Sequence, residues 1–240
     1  MSNKIECLSV CVDFSDFLEI SLPINKQFFD YLLIVTSPED EQTKQVCIKN
    51  KIDYIETDLF YKNNAIFNKG LALSSGFKYL KHKDWVVLMD CDCILPFNFR
   101  QKFLIEKLNP ELLYGTGRRF CWTYKDWSDL QEGRKNINEF EYIPGYGCGF
   151  WELFNMNSKV AKLYPLDKLY PEGNVESDII FLKRWCPLVE HDKNLGRIDM
   201  DVIHLGGHGI AHNSRKFSRI EEFKKPFKEQ KNLSNDLIYK

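Results

Sequence analysis

The chain has 240 residues, 44% hydrophobic and 28% charged, an ordinary globular composition with ample length for a buried core. A formal net charge of −1 supplies no global field to recruit nucleic acid or an anionic membrane, which points towards a small-molecule site. No run approaches the ~20 consecutive apolar residues of a membrane span, and the opening residues lack the apolar region and cleavage site of a signal peptide. The expected location is cytoplasmic.

In chain order, residues 5–12 form a continuous apolar run, the pattern of a strand buried on both faces. The spacing of Phe17, Leu18 and Leu22 predicts a helix over 16–29, with Ser15 as its cap and Pro23 bending or ending it. Tyr31–Thr36 reads as a second strand, after which Ser37 as N-cap and Pro38 at the first position open another helix. Asp53–Glu56 reads as a third strand, 68–79 as a helix, and Trp85–Met89 as a fourth, buried strand that ends at Asp90. This alternation implies a mostly parallel sheet with helices on both faces, in which ligands bind beyond the carboxyl ends of the strands. Asp13, Asp58 and Asp90 all follow strand ends and so share one rim.

After Pro96 the pattern changes. A helix is expected over 99–108, a strand over 111–117, and a polar, aromatic stretch without clear periodicity over 120–140. Gly145-Tyr146-Gly147-Cys148-Gly149-Phe150 then precedes another strand. The expected organisation is a single domain over 1–215, with an alternating half (1–96) and a mixed half (97–215) that forms a wall and lid to the same site. Residues 216–240, rich in lysine and glutamate, read as a surface helix and tail. The eight cysteines are scattered through apolar runs and read as small buried hydrophobes of a reducing compartment. Cys91-x-Cys93 has neither the spacing of a zinc pair nor a second pair to answer it.

The feature with most chemistry is Val86-Val87-Leu88-Met89-Asp90-Cys91-Asp92. A hydrophobic strand delivers two carboxylates to the ligand-binding rim, and so close a pair of acids suits a hard divalent cation. Such an ion, bridging to a diphosphate, stabilises the charge on a departing nucleotide. The bland alternative is one capping and one surface aspartate. Upstream, Asn68-Lys69-Gly70-Leu71-Ala72 opens a helix whose free amides and neighbouring lysine suit a phosphate or carboxylate.

Asn68-Lys69-Gly70-x-Ala72 followed by hydrophobic-Asp90-x-Asp92 resembles the nucleotide-binding half of GT-A glycosyltransferases, in particular family-2-like members. The resemblance covers 5–96 and continues in weaker form to about 215. It implies an α/β, Rossmann-like GT-A fold and transfer of a sugar from a nucleotide-diphosphate donor, with UDP the commonest family choice. It further implies Mn²⁺ or Mg²⁺ held by Asp90 and Asp92, Asp13 and Asp58 bordering base and ribose, and Asn68 and Lys69 at the donor. A general base is implied after the glycine-rich acceptor segment, near a helix start. Asp178 is favoured because an apolar helical run follows it, with Glu176 the runner-up, although Ser177 separates two acids that are adjacent in the family. The strand ending in His204-Leu205-Gly206 resembles the segment that supplies a histidine as third metal ligand. His208 and His212 continue an i, i+4, i+8 spacing from His204, but Gly206-Gly207 disfavours a continuous helix there. Tyr146, Gly147 and Trp151 are the candidates to meet an acceptor.

Two other readings stand beside transfer. A sugar nucleotidyltransferase would carry a glycine-rich, basic loop after the first strand, whereas Cys11-Val12-Asp13-Phe14-Ser15-Asp16 has neither glycine nor cation. A non-catalytic carbohydrate-binding relative would have little use for both acids, a base and a histidine. The hydroxyl acceptor could belong to a glycan, a lipid-linked glycan, a protein or a modified nucleic-acid base. No protein partner is required by this reading.

Overall fold

The computed structural model describes residues 4–81, 84–105, 107–144, 149–173, 175–186, 195–206, 215 and 220–231. The first half alternates β1 (Ile5–Val10), α1 (Ser15–Asn25), β2 (Tyr31–Thr36), α2 (Glu41–Asn50), β3 (Asp53–Glu56), α3 (Lys69–Gly76) and β4 (Trp85–Met89). The second half contains β5 (Cys93–Ile94), α4 (Phe99–Ile105), β6 (Leu113–Cys121), α5 (Tyr124–Gln131), β7 (Glu141–Ile143) and β8 (Trp151–Asn155). It continues through α6 (Lys159–Lys162), α7 (Val175–Trp185), β9 (Leu195–Leu205) and α8 (Glu221–Lys224).

The strands form one nine-stranded sheet in the order β3-β2-β1-β4-β8-β6-β9-β5, with β7 paired to β6. β1 is parallel to β2 and β4, and β2 to β3, while β8 runs antiparallel to both β4 and β6. β6 is parallel to β9, and β5 closes the far end antiparallel to β9. In a flat sheet β4 and β5 would lie four strand spacings, ~19 Å, apart. Only Asp90-Cys91-Asp92 joins them, and the step from Met89 to Cys93 spans at most ~14 Å of extended chain. The sheet must therefore curl, and the acid turn sits where the curl brings its first half against β9.

Alternation along the strands sends side chains to two cores. Ile5 and Cys7 join Phe17, Leu18 and Leu22 of α1 and Phe99 and Phe103 of α4. Leu8 and Val10 join Ala72 and Leu73 of α3 and Phe181 and Trp185 of α7.

Several sequence expectations need correction. Pro23 does not end α1, which reaches Asn25 and tightens into a 3-10 turn at Lys26–Phe28. Asp40, not Ser37, caps α2, its carboxylate accepting from Thr43 N–H at 3.0 Å. The helix expected over 99–108 ends at Ile105. β6 runs on to Cys121 through Arg118 and Arg119, because Asp201 pairs with Arg119 at 2.8 Å and Phe120 and Phe150 flank the Arg118 guanidinium. The 120–140 stretch holds α5, capped by Thr123, and leads into β7. The described part of the expected surface tail packs inward: Phe223 and Phe227 are buried against Phe17.

Candidate active site

The acid turn is fixed through its backbone. Asp90 N–H donates to Phe150 O at 2.9 Å, Cys93 N–H to Asp90 O at 3.2 Å, and Leu205 N–H to Asp92 O at 2.9 Å. From α1, the Ser21 hydroxyl donates to Cys91 O, and the Asn25 amide donates to Cys93 O at 2.7 Å while accepting from Leu95 N–H at 2.9 Å. Ser21 and Asn25 sit one turn from Leu18 and Leu22 on the buried face of α1. Buried polar side chains at core positions of a helix are the available sequence signal for this support, and the sequence reading passed over them.

On one side of the turn stands His204. The β5–β9 pairing sets Cys93 opposite His204, and His204 Nε2 lies 3.6 Å from Asp92 Oδ1. Phe120 and Phe150 meet the imidazole edge-on. Burial, and then the neighbouring Asp90 carboxylate, push the Asp92 carboxyl up to about 7, with Lys69 and Arg118 pulling the other way. Ligand atoms of Asp92, Cys93 and His204 all lie within 4.8 Å of one another. An oxygen, a sulfur and a nitrogen converging on a buried point form a donor set that fits a divalent cation.

On the other side stands Lys69, the first residue of α3. Its Nζ donates to Asp90 Oδ1 at 2.7 Å and to Gly149 O at 2.6 Å, and lies 3.7 Å from Asp178 Oδ1. Burial alone would lower the lysine pKa, but Asp178 and Asp90 hold it above the usual range, so the ammonium stays charged. The Tyr170 hydroxyl donates to Asp178 Oδ1 at 2.5 Å. Gly149, at φ +87°, passes so close that a Cβ there would lie 2.9 Å from Asp178 Oδ2. Glu152, buried on β8, accepts from Gly149 N–H at 3.3 Å, and burial followed by the Asp178 charge raises its pKa well above the carboxylate range.

Asp178 is held in place by the docking of 170–173 on α3. Asn68 caps α3 by accepting from Leu71 N–H at 3.1 Å, and the same oxygen accepts from Gly173 N–H at 2.9 Å. Gly70 N–H donates to Gly173 O at 2.9 Å, and a Cβ on Gly70 would fall 1.6 Å from Pro171 O. The glycine of Asn68-Lys69-Gly70 thus permits the contact that brings the α7 segment to the lysine.

Lys69, Asp90, Asp92, Asp178 and His204 therefore meet around one turn. Asn68 is occupied in supporting the 170–173 segment. Asp13 and Asp58 are exposed beyond β1 and β3, with Asp13 in the left-handed region (φ 63°) and its N–H donating to Asp40 Oδ2 at 2.9 Å. Glu176 falls in the first turn of α7. Trp151 is 0% exposed and packs edge-on against Phe99, so it is a core residue and offers no face to an acceptor. Tyr146, Gly147, His208 and His212 lie outside the described residues. Sequence reading missed Glu152, Tyr170 and Arg118. Only Glu152 carries a local signal, as the single charge in the apolar strand Trp151–Asn155.

No protein-family model matches the chain, and no curated protein matches it in sequence. Solved structures do. A mannosyltransferase from Pyrobaculum calidifontis, in complex with GDP-Man and Mn²⁺, is 12% identical with a TM-score of 0.50, over 84% of this chain and 56% of that one. Glucosyl-3-phosphoglycerate synthase from Mycobacterium tuberculosis in complex with UDP is 13% identical with a TM-score of 0.53, over 83% of this chain and 71% of that one. The same synthase with Mn²⁺, UDP and glucosyl-3-phosphoglycerate gives 11% and 0.51, over 85% and 72%. The chain spans little more than half the length of the mannosyltransferase. The shared architecture is the GT-A, Rossmann-like α/β fold.

Proposed function

We propose that this chain transfers a sugar from a nucleotide-diphosphate donor, with a UDP-sugar favoured, to a hydroxyl acceptor, with inversion and with Asp178 as general base. The observation that carries the reading is the convergence on the β4 acid turn of His204 from one side and of Lys69 with Asp178 from the other. A bare scaffold would gain nothing from clustering three carboxylates and a histidine. The fold supports the reading, since the structures it matches include glycosyltransferases bound to GDP-Man or UDP with Mn²⁺.

Asp92 and His204, with Asp90 beside them, would hold a divalent cation such as Mn²⁺ or Mg²⁺, which when bound supplies positive charge to the departing diphosphate. Asp178 accepts the proton of the attacking hydroxyl, and the Tyr170 hydroxyl and Lys69 ammonium orient its carboxylate. Lys69 also holds Asp90 in its rotamer, coupling the donor side of the site to the base. Asp13 and Asp58, on the rim, border the nucleoside. The buried thiols among the described cysteines suit the reducing cytoplasm. Among the described residues no helix is long and apolar enough to cross a membrane.

The test is a panel of nucleotide sugars with Mn²⁺, read by thermal shift and by donor hydrolysis. Stabilisation and hydrolysis by at least one donor, both lost in Asp92→Ala, are expected. No response to any donor, or a response unchanged in Asp92→Ala, would refute the reading.

A further inference from the structure

Cys91-x-Cys93 is no zinc pair in sequence, but the fold gives Cys93 other partners. Its Sγ lies 3.8 Å from Asp92 Oδ1, and β5–β9 pairing places His204 directly across from it. With the 3.6 Å separation of Asp92 and His204, three different ligand atoms ring one point. A tetrahedral ion, with bonds of ~2.0–2.1 Å to oxygen or nitrogen and ~2.3 Å to sulfur, has ligand–ligand edges of roughly 3.3–3.6 Å. The Asp92–His204 and Cys93–Asp92 separations exceed those edges by a few tenths of an ångström, and the third ligand pair lies within 4.8 Å, distances that side-chain torsions can close.

The Phe150 carbonyl oxygen, 3.7 Å from the Cys93 sulfur, already accepts from Asp90 N–H. Asp90 Oδ1 is engaged by Lys69 at 2.7 Å, so the second carboxylate of the acid pair is drawn towards the lysine. Mg²⁺ wants six oxygens and keeps waters, while a mixed oxygen, nitrogen and sulfur set suits a borderline-soft ion.

We propose that Cys93 is a metal ligand, completing an Asp92–Cys93–His204 site that prefers Zn²⁺ or Co²⁺ to Mn²⁺ and leaves its fourth position open. Coordination releases the thiol proton to water and leaves the sulfur as thiolate. The inference uses the same metal site as the transferase reading but not its reaction, and it stands or falls on the ligand set alone.

The experiment is titration of chelator-treated, full-length protein with Co²⁺ in the absence of nucleotide. A near-ultraviolet thiolate-to-cobalt charge-transfer band is expected, absent in Cys93→Ser although the weak ligand-field bands remain. Competition between Zn²⁺ and Mn²⁺, followed by the electron paramagnetic resonance of free Mn²⁺, should show Zn²⁺ binding at least about tenfold tighter, with Cys93→Ser cutting that preference by about tenfold or more. Co²⁺ binding without the charge-transfer band, or no Co²⁺ binding at all, overturns the proposal. The wild-type spectrum decides this even if the variant fails to fold. Donor hydrolysis with Mn²⁺ alongside a missing band would sink the cysteine ligand and leave sugar transfer standing.

Discussion

Lys69 is surrounded by Asp90, Asp178 and Glu152, with only 13% of its side chain exposed, so its ammonium is the local counter-charge of the site. Lys69→Met keeps most of the aliphatic stem and removes that charge. Breaking a buried pair by deleting one partner leaves the other charge uncompensated, and the expected loss is about 3–5 kcal/mol in urea unfolding. A loss below about 1 kcal/mol would mean that water, not Lys69, solvates these acids. Asp92 sets a pH dependence of opposite sense to ordinary acid denaturation. Its carboxyl, raised to about 7 by burial and by Asp90, keeps a proton that the unfolded chain has already lost above about pH 4. The native state then binds more protons than the unfolded state between about pH 4 and 7, so this group's contribution to stability falls as pH rises through that window. Glu152, raised by burial and Asp178, tilts the same way. Chelator-treated protein should lose Tm between about pH 5 and 7.5, with Asp92→Asn flattening part of the slope. A Tm rising through that range would contradict the assignment.

Among the elements, α3 carries the most consequence per residue, because its first turn is the surface on which residues 170–173 dock. Gly70→Ala would drive a methyl into Pro171 O, a backbone atom that has no rotamer by which to retreat. The expected cost is about 3 kcal/mol, the upper end of overpacking. Since 170–173 leads into α7, the displacement should lower turnover far more than nucleotide affinity; equal losses in both would place the contact outside the catalytic geometry. This element also shows what a sequence can convey. Lys69 and the acids of β4 were readable because both occupy ends of regular elements, where capping and strand-end rules apply. Tyr170 and Glu152 were not, because their meeting with Asp178 depends on how two distant segments lie across α3 and β4. β2 and β4 are legible as apolar runs, and β1 as one interrupted by Glu6 and Ser9, which the fold nevertheless buries on both faces. Arg118 and Arg119, beyond the strand expected to end at Gly117, carry no apolar signal in sequence, while in the fold aromatic rings and Asp201 receive them.

For the molecule as a whole, the curl of the sheet is the feature no local pattern announces, since it follows from β5 joining the far end of a sheet whose fourth strand lies only three residues upstream. The closure rests on few contacts: β5 offers a two-residue pairing with β9, and Leu205 N–H reaches back to Asp92 O. An ion shared by Asp92 and His204 would join the acid turn to β9, two segments about a hundred residues apart that only the folded chain brings together. A divalent cation should therefore act as a structural staple even without nucleotide. At a free concentration near 100 times its Kd, binding to the native state alone contributes about 2.7 kcal/mol. For a domain of this size that corresponds to a Tm rise of roughly 5–11 °C. Differential scanning fluorimetry with and without the ion should show that rise in the native sequence and in Asp58→Ala, whose side chain is exposed just beyond β3. His204→Ala should lose most of it. A full shift retained in His204→Ala would place the ion on the acids of the turn alone and leave the closure of the sheet to its hydrogen bonds.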